Sequence, residues 1–150
     1  MNLFNKKTLA RHLKPEAIPS DHLTLLEEWA QLIQSGRVKR LKEVALHGEF
    51  TNKIIQGVLG YEGPAAGARY TVSSEQTILR GSVDLALGHF GGEAPEILAP
   101  FELKGADTTD LDAIMPGRNK SPVQQAWEYA MNARGVKWVL VSNMVELRLY

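Results

Sequence analysis

Apolar residues recur with helical spacing in the first third of the chain. The pattern predicts a helix from Ser20 to about Ser35, with Ser20 as its N-cap and Gly36 as its stop. Its apolar face is formed by Leu25, Leu26, Trp29, Leu32 and Ile33. A second helix is predicted from Arg40 to Leu59. Its apolar stripe consists of Phe50, Ile54, Ile55 and Val58.

Shorter apolar runs bounded by glycine predict strands in the middle of the chain. After the glycine-rich stretch GYEGPAAGARY, a short strand is expected to start near Arg69 or Gln76. Two further strands are predicted at about 81–90 and 96–104, joined by a turn at Gly91-Gly92. The stretch from 105 to 120 is rich in Asp, Thr, Gly and Pro, which indicates a loop.

A third helix and two strands complete the predicted order of elements. Ser121-Pro122 is a typical helix start, and Gly135 is predicted to close this helix. Its buried stripe is predicted to contain Val123, Trp127, Ala130 and Met131. VKWVLVSN predicts a buried strand, and VELRLY predicts its hairpin partner after a turn near Asn143-Met144. The order predicts an α/β fold with a mixed central sheet flanked by helices.

Charged residues interrupt two of the predicted strands, where core strands would normally be apolar. Strand alternation places Asp84 opposite the face shared by Val83, Leu85 and Leu87. It likewise places Glu102 and Lys104 together, opposite Phe101 and Leu103. If the strands pair, two carboxylates and one ammonium converge, and such a cluster must be paired, metal-bound or catalytic. Two carboxylates with a lysine suit Mg²⁺, which prefers oxygen ligands and keeps several waters.

The order of these residues resembles the PD-(D/E)XK nuclease pattern, with Val83 in place of the usual proline. Asp84 lies on one strand, and Glu102-Leu103-Lys104 ends the next. Glu49 begins a segment, EFTNKIIQGVLGY, that resembles the first helix of restriction-enzyme nuclease domains. Gln125 and Tyr129, four residues apart on the third helix, resemble a Gln-x-x-x-Tyr element of several branches of that superfamily. The resemblance covers about residues 40–150 and implies a restriction-endonuclease-like αβββαβ core, preceded by a helical lead-in over 1–39.

The stretch QAWEYA…VKWVLVSNMVELRLY resembles the N-terminal nuclease domains of type IIG restriction–modification polypeptides. The resemblance implies a Mg²⁺-dependent DNA endonuclease, with Mn²⁺ as a possible substitute, fused to or associated with methyltransferase and target-recognition domains. The chain is then expected to be an N-terminal fragment of such a polypeptide. Cleavage of both DNA strands needs two active sites, which a transient homodimer would supply.

The same resemblance implies a role for each candidate site residue. Asp84, Glu102 and the backbone carbonyl of Leu103 would bind Mg²⁺, and Lys104 would orient the attacking water or stabilise developing charge. Glu49 would be a further metal ligand or would support one, with a surface glutamate as the alternative. Gln125 and Tyr129 would position the scissile strand or the metal waters, with a half-buried polar pair as the alternative.

Composition narrows the function classes. The formal net charge is zero, with 17 basic and 17 acidic residues, which argues mildly against strong non-specific DNA binding. Cysteine is absent, which excludes disulfides and thiolate metal sites and fits a cytoplasmic location. No run approaches the roughly 20 apolar residues of a membrane helix. The sequence contains neither a P-loop nor a Gly-x-Ser-x-Gly elbow, so an NTPase and an acyl hydrolase are not indicated.

Two interpretations of the charged cluster remain open. One is a metal-dependent nuclease, and the other is a catalytically silent nuclease-like module that serves DNA binding or structural interaction. The basic residues of the lead-in, Lys6, Lys7, Arg11 and Lys14, fit either a solvated surface or phosphate contact. Arg118 and Lys120, in the loop before the third helix, are further candidates for phosphate contact.

Overall fold

The computed structural model describes residues 5–13, 17–78 and 81–150, apart from the side chain at position 75. The first helices are α1 (Lys6–His12) and α2 (Ser20–Gln34), and a 3-10 turn follows at Arg37–Arg40. No residue of α1 is buried, and Lys14 lies outside the described residues. Pro19, not Ser20, occupies the N-cap of α2 because its extended backbone precedes the first helical residue. Gly36 follows the helix in a left-handed conformation, as predicted for its stop.

The second predicted helix is formed by two consecutive segments. α3 spans Glu43–Phe50, and a π-helical segment continues it over Thr51–Val58. The helix therefore starts three residues later than predicted and ends close to the predicted position. Phe50, Ile54 and Ile55 are buried, which confirms most of its predicted apolar stripe. No described helix is both long and apolar enough to cross a membrane.

Five strands among the described residues form one mixed sheet. They are β1 (Tyr70–Ile78), β2 (Gly81–Phe90), β3 (Glu96–Leu103), β4 (Leu140–Ser142) and β5 (Leu147–Leu149), adjacent in that order. Neighbouring strands are antiparallel except for β3 and β4, which are parallel. Helix α4 (Pro122–Asn132) connects these two parallel strands. The predicted strands and the mixed α/β fold are confirmed, although β4 is shorter than predicted.

The larger core cluster joins α2, α3 and the π-helical segment to one face of the sheet. Its members from the helices include Trp29, Phe50 and Ile55, and those from β3 include Phe101 and Leu103. The indole nitrogen of Trp29 also donates a 2.8 Å hydrogen bond to the backbone oxygen of Met144. Helix α2 therefore packs in the same core as the strands.

Helix α4 covers the sheet with its small residues instead of its large ones. Pro122 and Ala126 are its buried positions, whereas Trp127 is 45% and Met131 77% exposed. The prediction that Trp127 and Met131 are buried is wrong, because each lies one residue, about 100° of helix rotation, beyond the face centred on Ala126 and Ala130. The amino end of α4 is fixed by a capping box in which Ser121 and Gln124 bond each other's backbone N–H groups. The capping box therefore fixes the residue at which α4 begins, and the helix then runs past the charged residues of β2 and β3.

Candidate active site

Asp84 lies where β2 and β3 stop pairing. The ladder between these strands runs from His89 opposite Glu96 to Leu85 opposite Phe101. Beyond that point a carboxylate oxygen of Asp84 accepts a 2.8 Å hydrogen bond from the backbone N–H of Leu103. Val83, which precedes this end of the ladder, packs with Ala86 and Phe90 in a second cluster and not with Leu85 and Leu87 as predicted. The hydrogen bond to the side chain of Asp84 therefore replaces the backbone hydrogen bond that a regular strand ladder would form at this point.

Glu102 and Lys104 project together from β3, as strand alternation predicts. Their side chains form a buried ion pair, in which the Lys104 ammonium donates to one oxygen of Glu102. Glu102 is 1% and Lys104 8% exposed. The second oxygen of Glu102 is buried and has no hydrogen-bond partner among the described residues. A buried, incompletely satisfied carboxylate is costly, so its presence points to a function other than stability.

Burial and the neighbouring carboxylate perturb the pKa of Glu102. Burial raises its pKa most, and the negative charge of Asp84 raises it further, to about 7. The positive charges of Lys104 and Arg118 oppose this increase without cancelling it. The influence of Asp84 indicates that the two carboxylates are close enough to repel each other.

Asp84, Lys104 and Arg118 line a cleft of about 620 Å³. One wall is the exposed side of α3, and the other is formed by the loop and helix that follow β3. The polar residues that line it are Glu43, His47, Thr51, Asn52, Gln56, Ser74, Ser82, Asp84, Lys104, Arg118, Gln125 and Tyr129. Five predicted residues therefore line the cleft, namely Asp84, Leu103, Lys104, Gln125 and Tyr129. Glu102 is buried next to them through its ion pair with Lys104.

Glu49 does not lie in this cleft. It is exposed and lines a separate pocket beside Glu28 and Lys53. Glu43 is the glutamate of α3 that faces the cleft, and the offset of six positions from Glu43 to Glu49 corresponds to about 240° of net helix rotation. The expected role of Glu49 at the metal site therefore does not fit the geometry.

Sequence reasoning missed Glu43 and His47, which lie one turn apart on the cleft side of α3. An oxygen of Glu43 accepts a 3.1 Å hydrogen bond from the backbone N–H of Gly105 and lies 3.7 Å from a ring nitrogen of His47. Glu43, His47 and Thr51 recur at intervals of four residues, a helical spacing that marks one face. This polar spacing is the signal that could have identified the cleft side of the helix.

The pair predicted on α4 is present. The side-chain amide of Gln125 donates a 2.8 Å hydrogen bond to the hydroxyl of Tyr129. The carbonyl oxygen of the same amide accepts a 3.1 Å hydrogen bond from the guanidinium of Arg118. Arg118 is thereby attached to the wall of the cleft, whereas Lys120 pairs with Glu128 outside it.

The oxygen atoms available as metal ligands suit a hard divalent cation that keeps part of its water shell. In the described part of the chain, no group of three or more His, Asp or Glu side chains is arranged to hold a metal ion. Two carboxylates at Asp84 and Glu102, one with an unsatisfied oxygen, are nevertheless present. Mg²⁺ is commonly bound through one or two carboxylates, with water and substrate oxygens as its other ligands.

Comparison of the chain with protein-family models, curated proteins and solved structures finds no significant match. The functional argument therefore depends on the geometry of the cleft and on the chemistry of its residues.

Proposed function

We propose that this chain is a metal-dependent DNA endonuclease of the PD-(D/E)XK type. The observation that carries the proposal is the juxtaposition of two carboxylates and one lysine at the ends of two adjacent strands, beside an open cleft. The arrangement of three strands, a crossover helix and a parallel fourth strand supports a restriction-endonuclease-like core. The nuclease would work within a restriction–modification enzyme, with methyltransferase and target-recognition domains as partners and DNA as substrate.

The reaction is hydrolysis of a phosphodiester. A water oxygen forms a bond to phosphorus, the bond from phosphorus to the leaving oxygen breaks, and that oxygen receives a proton. A cation held by Asp84, Glu102 and the carbonyl of Leu103 would neutralise the phosphate and lower the pKa of the attacking water. Asp84 is held for this task by its hydrogen bond from the Leu103 backbone.

Lys104 has two functions in this proposal. Its ammonium keeps Glu102 partly ionised in a buried position, which the carboxylate could not sustain alone. It also borders the cleft, where it can orient water or stabilise negative charge as that charge develops on the phosphate. Both functions require a positive charge at this position, so a neutral side chain of similar length should not replace it.

The alternative function is a silent nuclease-like module. The closed ion pair between Glu102 and Lys104 is the observation that favours it, because such a pair could be a structural element without a cation. The two functions make opposite predictions for divalent cations. Only a real cation site stabilises the fold in proportion to its occupancy.

Thermal melting with EDTA, Ca²⁺, Mg²⁺ and Mn²⁺ tests the cation site directly. We expect each divalent ion to raise the Tm of the wild type, and saturation at about 100 times Kd corresponds to about 2.7 kcal/mol. The increase should disappear in Glu102→Gln, which has no carboxylate to offer. Glu96→Gln, at the exposed start of the same strand, is the matched control and should keep it. Equal Tm values in EDTA and in every cation would favour the silent module.

A further inference from the structure

The wall of the cleft opposite α3 contains a continuous relay of polar side chains. It begins at Arg118 in the loop after β3, continues through Gln125 and ends at Tyr129 on α4. The ring of Tyr129 lies directly against Gly81, because a Cβ atom built at position 81 would lie 2.9 Å from its Cε1 atom. Gly81 thus leaves room for the ring, and the ring fixes the far end of the relay.

The oxygen and the nitrogen of the Gln125 side-chain amide both form hydrogen bonds within the protein. Its oxygen accepts from Arg118, and its nitrogen donates to Tyr129. A guanidinium has five N–H donors, and the hydrogen bond to Gln125 uses one of them. Arg118 is solvent-exposed and borders the cleft, and its positive charge acts on the buried Glu102. The relay therefore presents a cation with spare donors beside the carboxylates.

We infer that Arg118 binds a backbone phosphate of the nucleic acid in this cleft, and that Gln125 and Tyr129 are positioning residues that aim its guanidinium. The inference rests on the proposed function and adds a substrate contact to it. A planar guanidinium matches the oxygens of a phosphate, and an arginine that is already held in place loses less side-chain entropy on binding. Gln125 then acts through Arg118 and does not contact the DNA strand itself.

Lys120 supplies the matched control for this inference. It lies two residues from Arg118 in the same loop, but it pairs with Glu128 and does not line the cleft. Removing either side chain takes one positive charge from the same loop. A phosphate contact should therefore distinguish the two variants, whereas a general electrostatic effect should not.

The test is binding of a fluorescently labelled DNA duplex in Ca²⁺, measured by polarisation at a series of NaCl concentrations. For Arg118→Ala we expect about tenfold weaker binding and a salt dependence lower by about one phosphate, that is, about 0.9 in the slope of log K against log salt. Arg118→Lys should retain the slope but bind more weakly, because it lacks the planar fork. Lys120→Ala should behave like the wild type.

Gln125→Met and Tyr129→Phe test the relay itself. Both keep the charge of Arg118 and should weaken DNA binding several-fold, while the Tm increase produced by divalent cations remains. Equal binding by the wild type and Arg118→Ala, or equal losses in Arg118→Ala and Lys120→Ala, would overturn the inference. If the wild type binds DNA through Arg118 but does not cleave it with any cation, the inference about Arg118 holds and the proposed endonuclease function is wrong. If the wild type does not bind DNA, both the inference and the proposed function are wrong.

Discussion

Replacing Asp84 with asparagine and Lys104 with methionine is expected to reduce DNA cleavage by on the order of 10²–10³-fold each. Asparagine keeps an oxygen that can accept the hydrogen bond from Leu103 but lacks the charge that a cation needs. Methionine keeps most of the volume of a side chain that is only 8% exposed, but it removes the ammonium. The measurement is single-turnover cleavage of supercoiled plasmid DNA in Mg²⁺, with Mn²⁺ in a parallel series.

Controls for these variants come from elsewhere in the chain. Glu49→Ala should cleave like the wild type, since Glu49 lines a different pocket, and Glu96→Gln should do the same. Circular dichroism and melting in EDTA establish that each variant is folded before its rate is interpreted. Cleavage within tenfold of the wild type in folded Asp84→Asn or Lys104→Met would contradict the assigned roles.

Much of the fold could be predicted because periodicity reports burial directly. The strand bounds at β2 and β3 and the hairpin at the end of the chain follow from alternation and from glycine turns. Alternation also placed Glu102 and Lys104 side by side, since residues two apart on a strand share a face. These features depend on the local geometry of strands and turns, which the spacing of residues along the sequence indicates.

Other features depend on how elements dock, which local spacing does not determine. The helical spacing of the apolar residues predicts a buried Trp127, yet α4 approaches the sheet through the smaller Ala126. The resemblance of the segment EFTNKIIQGVLGY to nuclease domains predicts a site role for Glu49, but the rotation of α3 against the sheet brings Glu43 to the cleft instead. The hydrogen bond from Arg118 to Gln125 joins a loop to a helix residue that is seven positions further along the chain. No periodic spacing of residues in the sequence indicates this contact.

The cleft combines groups with conflicting requirements. Burial of Glu102 and the nearby charge of Asp84 destabilise the ionised form of Glu102, and with it the folded protein. The positive charges of Lys104 and Arg118 offset only part of this cost. A site that binds a cation gains from the same arrangement, because a divalent charge compensates two repelling carboxylates at once. The penalty should therefore be visible in the free energy of unfolding of the metal-free protein.

The unfolding free energy in EDTA is expected to fall as the pH rises from about 4.5 to about 7. The pKa of Glu102 is about 7 in the folded protein, against an ordinary value of 4.5. Below pH 4.5 the group is protonated in both states, and between the two values only the folded protein retains the proton. Above pH 7 both states are ionised, and the full penalty of about 3 kcal/mol is present, at about 1.4 kcal/mol per pH unit.

Urea unfolding followed by tryptophan fluorescence measures this effect when the wild type is compared with Glu102→Gln. The stability difference between them should shift in favour of the glutamine variant by about 3 kcal/mol over this pH range, because glutamine does not titrate. The pH dependence separates the effect from loss of the ion pair with Lys104. Asp84→Asn should lessen the decline, since Asp84 contributes to the raised pKa of Glu102. A difference that stays constant from pH 4.5 to 8 would mean that Glu102 does not carry this penalty, and the argument for two repelling carboxylates would be lost with it.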